Sequence, residues 1–301
     1  MGKPLAEAFE SARDVFDEID EALGQNLSRL MFEGPADTLT LTENAQPALM
    51  AVSMAVIRVL ERDGHVDIAQ AARFVAGHSV GEYSALAAVG SISLADTARL
   101  LRLRGQAMQE AVPVGLGAMT AILGLDYATV IELAAAAAKG EGEGEVCAAA
   151  NDNAPGQVVV SGHKAAVERA AALASEKGAR RTIMLPVTAP SHCALMAPAA
   201  EVMAEALSAA TVKVPALPLV ANVKAEAVTD PTEIRALLVA QVTGTVRWRE
   251  SVQWMKAQGV ERLVEAGAGK VLTGLTKRID PELTGTTLNT PDDIEAFLKS
   301  N

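Results

Sequence analysis

The chain has 301 residues, 50% of them hydrophobic, which suits a large core in one big domain or two unequal ones. Aromatic residues make up only 3%, so the core must be built from Ala, Val, Leu and Met, and base-stacking surfaces for nucleic acid are not expected. A net charge of −11 argues against a general polyanion binder, and no apolar run reaches the length of a membrane span. The chain does not open with a basic region followed by an apolar one, so secretion is not indicated.

A polar helix is predicted over residues 4–23 and a second over 46–63, with Leu49, Val52, Val56 and Val59 at helical spacing. A strand over 72–76 runs into Gly77-His78-Ser79-Val80-Gly81, a Gly-x-Ser-x-Gly pattern followed by a helix of small residues. This is the pattern of a nucleophile elbow. The strand must turn sharply, Gly77 and Gly81 would remove clashing Cβ atoms, and Ser79 is left at the tip. The helix start behind it offers free N–H groups and a positive dipole end to an oxyanion. The pentapeptide alone also fits a tight turn with Ser79 as helix N-cap.

Ser93-x-x-Asp96 reads as a capping box for a long helix ending near residues 112–113. Its stripe is Leu94, Ala98, Leu101, Gly105, Met108 and Val112, and Arg104 lies beside it. An arginine flanking a buried stripe is costly unless something negative meets it, and the alternative is a snorkelling side chain.

Over residues 116–187 the texture changes. A strand (118–124), an Ala-rich helix (128–139) and an exposed Gly-Glu loop (140–145) lead to two strands (146–150 and 157–161). These are joined by Asn151-Asp152-Asn153-Ala154-Pro155-Gly156, a strong turn signal. A helix (165–177) and a strand (182–187) complete a βαββαβ order that fits a ferredoxin-like module, inserted between residues 1–115 and 188–301 of one larger unit. In that unit Pro186 and Pro190 bracket a loop ending in Ser191-His192-Cys193. A helix (197–210), a strand (217–222), two helices (234–243 and 248–258), a strand (262–265) and a helix (270–279) follow. The alternation implies an α/β fold with a parallel, helix-covered sheet. Cys147 and Cys193 lie far apart and read as reduced thiols of a cytoplasmic protein.

A serine hydroxyl needs a base within hydrogen-bond reach. Of four histidines, His65 and His163 read as solvated loop residues. His78 adjoins Ser79, so its side chain points away; it can line a pocket but is a poor base. His192, in a loop after a strand of the large unit, is the candidate base, with a plain helix-entry histidine as the alternative. No carboxylate has an obvious claim to orient it, which favours a neutral carbonyl. Gly267-Ala268-Gly269-Lys270 fails as a phosphate loop, because Val264 and Val271 stand where a glycine and a Ser or Thr are required.

These residues together resemble malonyl-CoA:acyl carrier protein transacylases. The resemblance is carried by the run Gly77-His78-Ser79-Val80-Gly81-Glu82-Tyr83-Ser84-Ala85-Leu86, by Arg104-Gly105-Gln106 and the residues to Pro113, and by Asn153-Ala154-Pro155-Gly156-Gln157. It continues through Pro190-Ser191-His192-Cys193, Val246-Arg247-Trp248 and Gly267-Ala268-Gly269-Lys270, in the family's order over nearly the whole chain. It implies an α/β-hydrolase-like domain with a ferredoxin-like insert. It also implies ping-pong transfer from malonyl-CoA to acyl carrier protein for fatty acid synthesis, with no cofactor and no metal. By resemblance Ser79 is the nucleophile, His192 the base, Arg104 the grip on the malonyl carboxylate, Gln241 the residue whose backbone carbonyl orients the histidine, and Val80 one oxyanion donor.

The family begins with a short strand and a Gly-Gln-Gly-Ser-Gln loop that gives the second oxyanion N–H. This chain starts at Met1-Gly2-Lys3-Pro4, so that strand and donor are expected to be missing, at a cost on the order of a hundredfold in turnover. Two acidic partners meeting an acidic chain call for a local basic patch. Lys177, Arg180, Arg181, Lys270, Lys277 and Arg278 are its candidates, each also readable as ordinary surface. A polyketide-type acyltransferase, a serine hydrolase with no use for Arg104, and a non-catalytic binding protein are the competing readings.

Overall fold

A computed structural model describes residues 1–140, 144–187 and 189–300 of the chain. The fold is mixed α/β. Where the pattern predicts one opening helix there are two, α1 (Lys3–Ala8) and α2 (Glu10–Leu23). Phe9 breaks them with extended backbone, and its N–H closes α1 on the Leu5 carbonyl. α2 buries Ala12, Val15, Phe16 and Ile19 and stops at Gly24, whose φ of 58° is a left-handed cap. Two short helices without a predicted counterpart, α3 (Leu27–Glu33) and α4 (Ala36–Thr40), lead into α5 (Thr42–Arg62). Val52, Val56 and Val59 of its stripe are buried, but Leu49 is 40% exposed. The buried face is instead completed by Ala48, Ala51 and Ala55, small residues that let α2 and later helices approach closely.

α6 (Ile68–Ala71) precedes β1, which is only Val75–Ala76 rather than the longer strand predicted. α7 (Val80–Ala88) and α8 (Leu94–Glu110) follow. The capping box forms as read, with Ser93 Oγ accepting the Asp96 N–H at 3.1 Å. α8 crosses α5 at Gly105, where a Cβ would lie 2.5 Å from Glu43 Cα. That contact fixes how far the neighbouring Arg104 stands from α5.

The next six elements are β2 (Gly117–Leu123), α9 (Tyr127–Ala137), β3 (Cys147–Ala154), β4 (Gln157–His163), α10 (Lys164–Glu176) and β5 (Arg181–Met184). Their strands form an antiparallel sheet in the order β3-β4-β2-β5. Ile122, Val130, Leu133, Val158, Val160 and Val167 share one core with it. Of the predicted Gly-Glu loop, residues 141–143 lie outside the described residues. The predicted turn over 151–156 is a correction. β3 runs on through Asn151, Asp152 and Asn153 with two register shifts, leaving only Pro155-Gly156 as the turn. These turn-forming residues stay in the strand because outside partners hold them. Asn151 pairs with Val246, Asp152 takes a bidentate Arg249 at 2.6 and 3.0 Å, and Asn153 meets His78.

A short 3-10 turn, Ala194–Met196, leads into α11 (Ala197–Ala209). Then come β6 (Leu219–Val220), β7 (Ala227–Val228), α12 (Pro231–Thr243), α13 (Trp248–Ala257) and β8 (Arg262–Ala266). The chain closes with α14 (Val271–Ile279), β9 (Thr284–Leu288) and α15 (Pro291–Ser300). The single parallel sheet expected here is not what forms among the described residues. β1 pairs parallel with β6, β6 pairs antiparallel with β7, and β8 and β9 make a separate parallel pair. A largely helical core drawn from α2, α5, α7, α8, α11 and α12 surrounds β1 and β6. Among the described residues no helix is long and apolar enough to cross a membrane.

Candidate active site

The passage from β1 to α7 puts Ser79 at φ 51° and ψ −105°, a strained backbone for a residue with a side chain. The turn is tight on one side only. A Cβ on Gly77 would lie 2.0 Å from the backbone carbonyl atoms of Gly81, whereas one on Gly81 meets nothing within 4 Å. Gly77, not Gly81, is therefore the residue the turn requires. Gly77→Ala is expected to cost at least about 2 kcal/mol of stability, because backbone must move. Gly81→Ala in the first turn of α7 should be neutral or gain up to about 1 kcal/mol from helix propensity. Denaturant unfolding of the two variants checks this, and equal losses would refute it.

Asn222, fully buried just after β6, braces the turn from both sides. Its Oδ1 accepts the Ser79 N–H at 2.7 Å, and its Nδ2 donates to the Gly77 carbonyl at 2.7 Å. The Ser79 hydroxyl makes no capping bond to α7. It lies 2.9 Å from His192 Nε2 instead.

His192 also has a positive φ, 60°, on the loop before α11. Its Nδ1 is 2.8 Å from the Gln241 backbone oxygen. A carbonyl only accepts, so Nδ1 carries the ring proton and the neutral imidazole presents a bare Nε2 to Ser79. Burial, reinforced by the nearby Arg104 charge, pulls the His192 pKa down to about 3. The ring is thus neutral at pH 7, with Nε2 as its acceptor.

Arg104 is 1% exposed and its guanidinium arches over Ser79. Nη1 donates to Gln46 Oε1 at 2.7 Å, and Nη2 donates to Gln241 Oε1 at 2.9 Å and to Ser79 Oγ at 3.1 Å. Its Nε is buried without a partner. The arginine beside the apolar stripe is therefore buried, not snorkelling. Burial lowers its pKa, but a guanidinium stays charged.

Gln241 contributes its side chain as well as its backbone oxygen. Besides the bond from Arg104, its Nε2 donates to the Ser79 carbonyl at 3.1 Å and to Glu82 Oε2. Glu82 is 1% exposed on α7, and burial raises its pKa to about 7. Gln46, Glu82 and Asn222 were not singled out in the sequence. Glu82 appears there only within the run Gly77–Leu86, with no role of its own.

The other candidates stand apart from this cluster or at its edge. Val80 is the first residue of α7, where helix geometry leaves the N–H without an intrahelical acceptor. His78 Nε2 is 2.8 Å from Asn153 Oδ1 and its ring lies 5.8 Å from that of Trp248. His65 is exposed. His163 is not a solvated loop residue, because it ends β4 and its Nδ1 accepts the Val146 N–H at 2.8 Å. The Gly267–Lys270 turn leads into helix amides already taken by Glu265, which accepts from Leu272 and Thr273 at 3.0 and 2.7 Å. Lys177, Arg180, Arg181, Lys270, Lys277 and Arg278 are all exposed, and Arg278 also donates to Gln157 Oε1. Cys147 and Cys193 are buried free thiols. Among the described residues no group of three or more His, Cys, Asp or Glu is placed to hold a metal ion.

A half-buried serine hydroxyl bonded to a buried neutral histidine, with a buried arginine beside it, sets a potential nucleophile and its proton acceptor next to a fixed positive charge. Residues 1–279 match the family model described as "Acyl transferase domain". The malonyl CoA-acyl carrier protein transacylase of Escherichia coli (strain K12) is 47% identical over 98% of this chain and 93% of its own length. The acyl-carrier-protein-S-malonyltransferase from Bartonella henselae superposes with a TM-score of 0.95 at 55% identity, covering 100% of this chain and 94% of the other. A malonyl-transacylase solved in complex with its type II PKS acyl-carrier protein superposes with a TM-score of 0.95 at 41% identity, covering 100% of this chain and 95% of the other. With identity of this order along nearly its full length, the chain belongs to the acyl transferase domain family and, within it, to the malonyl CoA-acyl carrier protein transacylases.

Proposed function

We propose that this chain moves a malonyl group from malonyl-CoA to the phosphopantetheine thiol of acyl carrier protein, through a malonyl ester on Ser79, and so supplies fatty acid elongation in the cytoplasm. The observation that carries this reading is the buried Arg104 guanidinium 3.1 Å from the Ser79 hydroxyl. A hydrolase of neutral esters has no use for a cation there. Arg104 now donates to neutral amide oxygens, which a carboxylate outcompetes as an acceptor, and its partnerless Nε is a further donor.

In the first half-reaction His192 Nε2 takes the Ser79 proton as Oγ attacks the thioester carbonyl. The Val80 N–H donates to the oxyanion that forms. Collapse breaks the C–S bond, the thiol of coenzyme A leaves with the proton from His192, and malonyl remains on Oγ. In the second half-reaction His192 takes the proton of the carrier-protein thiol, whose sulfur attacks the ester. Ser79 leaves and recovers its proton. The Gln241 backbone oxygen holds the imidazole in the tautomer both halves need. His78 and its partner Asn153 line the acyl side of the site.

We also propose that residues 1–115 with 188–301 form an α/β-hydrolase-like catalytic domain and that 116–187 form a ferredoxin-like insert. The separate apolar core of β2, β4, α9 and α10 supports that division. The exposure of Lys177, Arg180, Arg181, Lys270, Lys277 and Arg278 supports their role in steering acidic partners onto an acidic protein.

Intact-protein mass spectrometry after brief incubation with malonyl-CoA tests the reading. A malonyl-sized gain on the wild type, absent from Ser79→Ala, is expected. No gain on the folded wild type would refute it.

A further inference from the structure

Glu82 takes no part in the transfer steps above, yet it is buried three residues past the nucleophile, where an idle carboxylate is costly. Its position in the cluster gives it a task. Glu82 Oε2 accepts from Gln241 Nε2, and Oε1 lies 3.4 Å from the Asn222 N–H. Both of its carboxyl oxygens face N–H donors, so Glu82 meets the Gln241 amide as an acceptor. It therefore draws the NH2 end of the Gln241 amide toward itself and leaves Oε1 facing the other way, where it accepts from Arg104 Nη2 at 2.9 Å. Reversing that amide would put oxygen against oxygen at Glu82 and NH2 against guanidinium at Arg104. The chain Glu82–Gln241–Arg104 thus has one satisfiable arrangement, and in it Nη2 sits 3.1 Å from Ser79 Oγ.

We propose that Glu82 is a positioning residue for acyl-group selectivity: through the side-chain amide of Gln241 it holds Arg104 over Ser79 in the pose that receives a carboxylated acyl group. This deepens the reading of Arg104 as the malonyl grip and rests on it. Glu82 does not touch the acyl group, and it acts on selectivity rather than on the Ser79–His192 pair. The groups facing it are Arg104 from α8, Gln241 from α12, Asn222 after β6 and Tyr83 on its own helix. Among the described residues Arg104 is the cation whose charge is felt at Glu82, so orientation and charge balance both run to the same partner.

The test compares malonyl-CoA with acetyl-CoA as donors, reading kcat/KM for ester formation on Ser79. Glu82→Met fills the same space but cannot accept the amide. It is expected to lower the malonyl-to-acetyl ratio at least tenfold, through a raised KM for malonyl-CoA with acetyl transfer nearly unchanged. Glu82→Gln keeps an acceptor toward Gln241 and should hold the ratio within about threefold of wild type. Glu82→Leu likewise fills the space without an acceptor for the Gln241 amide and should match Glu82→Met. It also decides the matter if Glu82→Met does not fold. An unchanged ratio, equal loss of both donors, or a Glu82→Gln variant as impaired as Glu82→Met would each overturn the proposal. A wild type that forms no malonyl ester would instead sink the functional reading, and this inference with it.

Discussion

Arg104→Ala is expected to reduce kcat/KM for malonyl-CoA by several hundredfold or more while sparing, or raising, transfer of an acetyl group. The substitution removes two parallel charge-assisted hydrogen bonds in a buried setting, worth roughly 3 to 5 kcal/mol together. An acetyl group makes no such bonds, and the truncated side chain leaves an apolar space beside Ser79 that suits a methyl group. The fold should tolerate the change, because the groups Arg104 now bonds through Nη1 and Nη2, namely Gln46, Gln241 and Ser79, are neutral, and Glu82 can protonate once its cation is gone. Arg104→Lys should rescue poorly. A point charge on a flexible stem cannot reproduce the planar fork that reaches Gln46, Gln241 and Ser79 at once. Steady-state kinetics with both donors decides the matter, and malonyl transfer that survives Arg104→Ala would show that the carboxylate is held elsewhere.

The elbow and its arginine were legible in the sequence because each breaks a local rule. Gly77 and Ser79 interrupt an apolar strand, and Arg104 intrudes beside a buried stripe. What could not be read was set by tertiary partners. Asn151, Asp152 and Asn153 carry turn chemistry but are held in a bulged strand by Val246, Arg249 and His78. β1 and β6 are two residues each, too short to leave a periodic signal. Phe9 sits inside a pattern that looks continuously helical yet takes extended backbone. Gln46 and Glu82 on two helices, and Asn222 at the end of a predicted strand, carry no signal of their own until the fold buries them around Ser79. The residues that touch the reacting atoms were thus easier to find than those that hold them in place. A holding residue has no motif of its own. Its identity depends on which side chain arrives opposite it from another element.

His192→Ala should slow ester formation on Ser79 by roughly a thousandfold or more, because the hydroxyl loses its proton acceptor. The wild-type pH profile tests the same assignment without a mutation. His192 is pulled from 6.5 to about 3, so its imidazole stays neutral in the folded protein well below the ordinary histidine range. No fall in kcat/KM is expected as pH drops through 6.5. Glu82 is raised from 4.5 to about 7, but it acts on donor selectivity and not on this proton transfer. The same two groups bias stability in opposite senses. Below 6.5 the unfolded chain protonates His192 while the folded one does not, so this group makes the fold less stable as pH falls toward 3. Glu82 keeps its proton in the folded state up to about 7 but loses it at 4.5 when unfolded, so its contribution is full below 4.5 and is lost as pH rises to 7. Between 4.5 and 6.5 the two slopes oppose each other. Removing the Glu82 titration should therefore make stability climb more steeply with pH across that window. Denaturant unfolding of wild type and Glu82→Gln at its two ends measures the difference, and identical slopes would mean that Glu82 ionises in the folded protein as it does in the unfolded chain.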